Sequence, residues 1–418
     1  MSASKKSLAA QGMNALLRLG TMIVKMGLTL YMGRYFKLAD MGLYGLVLGA
    51  VSILTVLFGQ NFAYIVNRDI VGASPIEVCH KIRDEILFYG VNYVLFFFVV
   101  LLFLLIPQDI VSAKTLIYVF VLTILEGIGT VIYYNQNSLH QQLRANALFF
   151  IRSGLWVFPV VGLCIFYPDL RTADTVLMAW IIGNVLGLIA TAWLWRGMPW
   201  MEACRKRIDW LWITRGMKTT ILVWLGMLGI TCGSFVDRFV VEHYLTLEDV
   251  GVLTFYFSFT NAMLTLMQSG VAAFATPKMV QHHRDNAHDD FHKEARHATR
   301  QVNIGAGALA LCLGIAVPTL CYLLGRHAFV VGTPVFLLML FGTWLRSNAD
   351  MKSNILFARH QDRAIWLGNL LFLIPALGGN LLLVPIFGLS GIGYSAVIAA
   401  TFLLIWRWWH VQHYTHTA

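Results

Sequence analysis

From Ile365 to Trp406 the chain runs without one charged residue, and Ile86 to Ile106 and Val302 to Gly325 are charge-free as well. Such stretches constrain the fold more than any motif, because a helix needs about 20 apolar residues to cross roughly 30 Å of hydrocarbon. Composition agrees: 58% of residues are hydrophobic and only 12% are charged, with a mean hydropathy of +0.68. A large soluble protein would need about twice that share of charged residues to stay in solution. The chain therefore reads as an all-α polytopic membrane protein.

The run after Ile365 is long enough for two helices, and Pro385, Gly388 and Gly391 break it in the middle. Further spans are expected near residues 10–33, 42–66, 114–137, 147–167, 175–195, 217–241, 251–275 and 334–357, which gives about 12 transmembrane helices. Arg18 and Lys25 interrupt what would have to be the apolar core of a cleavable signal peptide, so none is expected.

Orientation follows from the loops. With the N-terminus inside, 20 of the 31 Lys and Arg fall on the cytoplasmic side, Arg407 among them, and only Arg34, Lys37, Lys114, Arg171 and Arg326 fall opposite. Both termini are expected in the cytoplasm of a multi-pass protein. The net charge of +10 then reads as a topology signal, and no nucleic-acid partner is implied. The longest hydrophilic stretches, 196–216 and 276–300, are too short to fold as catalytic domains. No P-loop or nucleophile elbow appears either, so enzymatic activity is not expected.

An internal repeat adds to this. Tyr35 to Gly45, YFKLADMGLYG, aligns with Tyr244 to Thr254, YLTLEDVGVLT, and each stretch joins the first and second helices of a six-helix half. The expected halves are residues 1–209 and 210–418. An even helix count gives both the same orientation, as in the two lobes around the central cavity of alternating-access transporters.

Six basic side chains remain inside the expected helices: Arg18, Lys25, Arg152, Arg238, Arg346 and Lys352. Three acids join them, Glu126, Asp237 and Asp350. Ionisable groups at membrane depth are costly unless they face protein or water, so their default reading is functional. At 100° per residue Asn14, Arg18, Thr21, Lys25 and Thr29 form one polar stripe, and Thr123, Glu126, Thr130, Tyr133 and Asn137 form another. Thr231, Ser234 and Arg238 repeat the design in the seventh span. Arg346 and Asp350, four residues apart, share a face with Ser353, while Lys352 points elsewhere. Two plainer readings stay open: a self-neutralising Arg346–Asp350 pair, or a helix that ends at Leu345 and leaves the charges in a loop.

RYFKLADMGLYGLVLGAVSILTVLFGQNFAYIVNRD, with Gly42, Tyr44, Gly59 and Arg68, resembles the second-helix region of polysaccharide flippases of the MOP superfamily. ILFARHQDRAIW and LLLVPIFGLSGIGYSAVIAA resemble that family's tenth to twelfth helices. The resemblance implies a MATE-like fold and a flippase of the Wzx type in the bacterial inner membrane. Such a flippase moves an undecaprenyl-diphosphate-linked oligosaccharide to the periplasmic leaflet for O-antigen, lipopolysaccharide, capsule or exopolysaccharide synthesis. It also implies a monomer among membrane lipids, with polysaccharide polymerase and chain-length proteins as pathway partners, and no cofactor.

The chemistry of the residues fits that implication. Arg suits phosphate oxygens, and an excess of bases over acids suits a lipid diphosphate, so Asn14, Arg18, Lys25, Arg152, Arg238, Arg346 and Asp350 are the candidate cavity residues. Tyr133, Tyr134, Asn135, Gln136 and Asn137 are candidates for sugar contacts. Glu126 and Asp237 are candidates for proton or sodium coupling, although Asp237 paired with a base of a neighbouring helix is an equal reading. An ion-coupled multidrug or small-solute antiporter is the second hypothesis, with an opposite cavity sign expected. A membrane-embedded polymerase or glycosyltransferase is the third. His282, His283, His288, His292 and His297 crowd one hydrophilic stretch without a Cys, and no CxxC pair exists, so no metal is expected.

Overall fold

The computed structural model describes residues 2–59, 62–105 and 112–413, which are mostly helical and contain no strand. Among the described residues, twelve helices have membrane-spanning length. They are α1 (Ser2–Tyr35), α2 (Leu38–Gly59), α3 (Pro75–Leu105), α4 (Ala113–Ser138), α5 (Gln142–Phe166), α6 (Ala173–Trp195), α7 (Trp210–Tyr244), α8 (Leu247–Arg284), α9 (His288–Leu324), α10 (Thr333–Ala358), α11 (Asp362–Phe387) and α12 (Ser390–His413). Ten of these are long and apolar enough to cross a membrane. The other two, α1 and α10, hold Arg18 and Lys25, and Arg346, Asp350 and Lys352, in their interiors.

Apolar side chains crowd the outer faces of these helices. Phe98 and Leu102 of α3 and Leu311, Ile315 and Leu323 of α9 are exposed, as a soluble surface would not tolerate in contiguous patches. The molecule is a multi-pass membrane protein.

Helix limits follow local chemistry. Ser112 and Thr172 accept from the amides of Thr115 and Thr175 and cap α4 and α6. Thr246 and Asp249 form a reciprocal capping box at the start of α8. The long charge-free run breaks at Gly388, whose φ of +59° ends α11. Ile106, the end of another such run, lies outside the described residues. One expectation is corrected. The stretch 276–300 is no loop, since α8 continues to Arg284 and α9 starts at His288. The span expected over 334–357 is found, and the alternative of a helix ending at Leu345 falls away, because α10 runs unbroken through the charged residues to Ala358.

Two compact units emerge. The first holds Met1–Met32 and Val47–Trp224. Its core stacks Phe62 on Phe88 at 4.4 Å and sets Trp212 edge-on to Phe62 at 5.2 Å, with the Trp212 indole donating to Asp69 at 2.6 Å. Arg83 ties α3 to the α6–α7 connector by donating to the carbonyls of Ala203 and Lys206, at 2.5 and 2.7 Å.

The second unit holds Gly33–Leu46 and Leu225–Ala418. Phe255 stacks on Phe329 at 4.3 Å and Tyr256 on Phe336 at 5.0 Å, while Arg326 donates to the carbonyl of Phe36 at 2.7 Å. The repeat acquires a structural meaning in this unit. Helix α2 begins at Leu38 and α8 at Leu247, the equivalent positions of the two copies. A methyl group on Gly42 would strike the carbonyl oxygen of Leu247, and one on Gly251 would strike that of Leu38. The contact between the two equivalent helix starts is reciprocal.

Candidate functional site

The polar stripe of α1 packs within the first unit. Asn146 donates to the side-chain oxygen of Asn14 at 3.0 Å, and Arg18 donates to the Tyr133 hydroxyl at 2.7 Å. Thr21 and Thr29 turn their hydroxyls back to carbonyls one turn earlier, those of Leu17 and Lys25. Because Arg18 is exposed and, among the described residues, holds a single hydroxyl partner, Arg18→Ala is expected to change the thermal unfolding of the purified protein by less than about 1 kcal/mol. A larger loss in a melting experiment would mean that this contact organises the helix.

A denser cluster lies between α4, α5 and α6. The π turn Ile151–Leu155 inside α5 carries Arg152, and such turns re-aim side chains within an otherwise regular helix. Arg152 Nη1 lies 3.3 Å from Glu126 Oε2 and donates to the Glu126 carbonyl at 3.1 Å. Trp180 and Asn184 of α6 donate to Glu126 Oε1 at 2.7 and 3.2 Å. Lys25 adds its charge within electrostatic reach of both partners. Glycine at 129 leaves the room in which the Arg152 guanidinium lies. The void beside it is about 10 Å³, no more than a water occupies.

The second unit holds a larger opening. A cavity of about 880 Å³ is lined by Arg284, Arg346, Asp350, Ser353, Asn369 and Arg407 among its polar residues. Three arginines and one aspartate thus share the lining, and Arg284 also pairs with Asp285 at 3.7 Å. Asp350 Oδ1 accepts from Arg346 Nε at 3.1 Å and from Arg407 Nη1 at 2.6 Å. Arg407 also donates to the Asn369 side-chain oxygen at 2.7 Å, and Gln268, in the π turn Gln268–Ala272 of α8, reaches Asp350 Oδ2 at 3.5 Å. The Arg346 guanidinium sits over the Phe372 ring at 4.8 Å. Lys352 is absent from the lining, as its position on the helix implies.

Next to it a cavity of about 310 Å³ is lined by Thr231, Ser234, Asp237, Asn261, Asn380 and Ser395, with Arg346 contributing to both. Asp237 pairs with the following residue, Arg238, at 2.8 Å. Arg238 itself is fully buried, over the Phe257 ring at 4.1 Å, and lines neither opening. Asn135 and Gln136, expected to meet sugars, are fully buried as well. Tyr134 is exposed.

Sequence reasoning missed several of these groups. Arg407 was counted among the loop residues but lies in α12 at 2% exposure, because the helix continues through Trp408, Trp409 and His410. Asn369 carried no signal beyond its position three residues past Trp366. Glu85 directly precedes the charge-free run of α3. It is fully buried, its Oε2 accepts from Asn135 at 2.8 Å and its Oε1 has no partner among the described residues. No three His, Cys, Asp or Glu among the described residues converge as metal ligands.

No protein-family profile matches the chain, and no curated protein matches it by sequence. Solved structures do match its fold. An inward-facing multidrug resistance MATE family transporter of the MOP superfamily superposes with a TM-score of 0.74 at 13% identity, over 92% of both chains. The lipid II flippase MurJ, in an inward closed conformation, gives 0.75 at 12% identity over 96% of this chain and 87% of its own. A MOP superfamily transporter from Pyrococcus furiosus, described by the reverse polarity of its binding pocket, gives 0.55 at 15% identity over 96% and 93%. This chain has the fold shared by MOP superfamily transporters.

Proposed function

We propose that this protein is a flippase that carries an undecaprenyl-diphosphate-linked oligosaccharide from the cytoplasmic to the periplasmic leaflet by alternating access. The observation that carries the reading is the 880 Å³ cavity in which Arg346 and Arg407 share the single carboxylate of Asp350, with Arg284 also on the lining. A diphosphate crossing a low-dielectric barrier needs such an excess of positive charge, and the planar guanidinium fork matches phosphate oxygens. The exposed Arg18 and the half-buried Lys25 of α1 are further headgroup candidates in this reading.

The repeat halves, residues 1–209 and 210–418, are the proposed moving lobes, with both termini in the cytoplasm of a bacterium. The chain then serves O-antigen, capsule or exopolysaccharide assembly beside a polymerase and chain-length partner, and catalyses no covalent step. Proton or sodium coupling through Glu126 or Asp237 belongs to the same proposal. Fold likeness to both a drug transporter and a lipid flippase makes an ion-coupled multidrug antiporter the second reading. The charge of the cavity favours the anionic cargo.

Cells deleted for their own gene and complemented with wild type or Arg346→Ala separate the two. Wild type is expected to restore surface polysaccharide, and Arg346→Ala, inserted to equal level, is expected to lower it at least about tenfold, the equivalent of one lost charge-assisted bond. A deletion that leaves polymer intact but changes drug tolerance replaces the flippase with the antiporter.

A further inference from the structure

The carboxylate of Asp350 lines the large cavity between two of its arginines. Asp350 Oδ1 accepts from both Arg346 and Arg407, yet one negative charge faces two positive ones, so the triad is short of an anion. Its donors are also unevenly used. Arg346 binds Asp350 only through Nε, and its two Nη groups make no hydrogen bond among the described residues. The buried Arg407 spends Nη1 on Asp350 and Nη2 on Asn369, and its Nε has no partner. A carboxylate cannot saturate this set, whereas a phosphate group offers more oxygens and more charge to the same forks.

We propose that Asp350 is an exchangeable counter-anion, which holds the Arg346–Arg407 pair between transport cycles and yields it to the substrate's diphosphate. The proposal rests on the reading of this cavity as the headgroup site. A diphosphate drawn to the free Nη groups of Arg346 comes up against the Asp350 carboxylate, and the like charges drive that side chain away. Polar groups on the cavity lining are available to receive it. Gln268 Nε2 lies 3.5 Å from Oδ2, and Ser353 and Asn354 line the same wall. When the carboxylate returns to the arginines it competes with the phosphate and promotes release. An arginine pair without this competitor would bind its cargo too firmly to let go, the condition any transport site must avoid.

Titration of the full-length protein in zwitterionic nanodiscs with farnesyl diphosphate tests this. Asp350→Asn keeps the size and the oxygen that accepts from the arginines but removes the charge and the acceptor facing Gln268, and it is expected to bind at least about tenfold more tightly than wild type while translocating lipid-linked substrate more slowly. Asp350→Glu, which keeps a carboxylate, is expected to restore affinity and turnover towards wild type and guards against a folding artefact. Unchanged or weaker binding by Asp350→Asn, with binding still lost in Arg346→Gln, overturns the counter-anion and leaves the anion site standing. If Arg346→Gln and Arg407→Gln both bind farnesyl diphosphate as wild type does, the headgroup reading itself fails. Equal competition by inorganic pyrophosphate would assign the site to a free diphosphate and overturn the lipid assignment.

Discussion

Glu126→Gln is expected to cost about 3 kcal/mol of stability, seen as a lower unfolding midpoint and less folded protein after detergent extraction. Glutamine keeps the shape of the side chain and can still accept from Trp180 and Asn184 through its one oxygen, but it replaces the charged Oε2 acceptor beside Arg152 with an amide donor. What it removes is the one anion that faces both Arg152 and Lys25 inside the first unit. Two stranded cations in a helix-bundle interior are far more costly than the intact group. Adding Lys25→Met to Glu126→Gln is therefore expected to recover part of the loss, a coupling that a double-mutant comparison reads directly. A Glu126→Gln protein as stable as wild type would show that the cluster is solvated rather than closed.

Gly42→Val and Gly251→Val are each expected to cost at least about 3 kcal/mol, at the upper end for overpacked sites. At both positions the new side chain would meet backbone, the carbonyl of Leu247 or of Leu38, and no rotamer change relieves a backbone clash. Gly20→Ala and Gly27→Ala are the controls, because nothing lies within 4 Å of a Cβ at either position. Fluorescence-detected size exclusion after heating measures all four. Equal behaviour of the two groups would mean that the helix starts do not pack this closely in the membrane.

These two sites also mark where the sequence was readable. The repeat, with Asp40 and Gly42 matching Asp249 and Gly251, revealed equivalent helix starts before any contact was known. Hydropathy found the spans, since long apolar runs have one solution in a bilayer. Period 3.6 put Arg346, Asp350 and Ser353 on one face, and they line one cavity. Arg407 escaped because a charge at the edge of an apolar run looks like a helix end, and only the packing of α12 against α10 places it beside Asp350. Arg238 misled in the opposite way. Its spacing put it on a polar stripe, but the helix breaks at Val236 and the guanidinium turns onto Phe257 instead. Periodicity assumes an unbroken helix, so it fails past a break.

The central claim is that the cavity of the second unit carries an anionic lipid headgroup. Proteoliposomes with a fluorescent polyprenyl-diphosphate oligosaccharide in both leaflets, bleached from outside by an impermeant reductant, test it most directly. Wild type is expected to move the lipid between leaflets, Arg346→Gln to slow it at least about tenfold, and neither to move a cationic dye of similar size. Transport of the dye by wild type, with the diphosphate lipid left in place, would contradict the account.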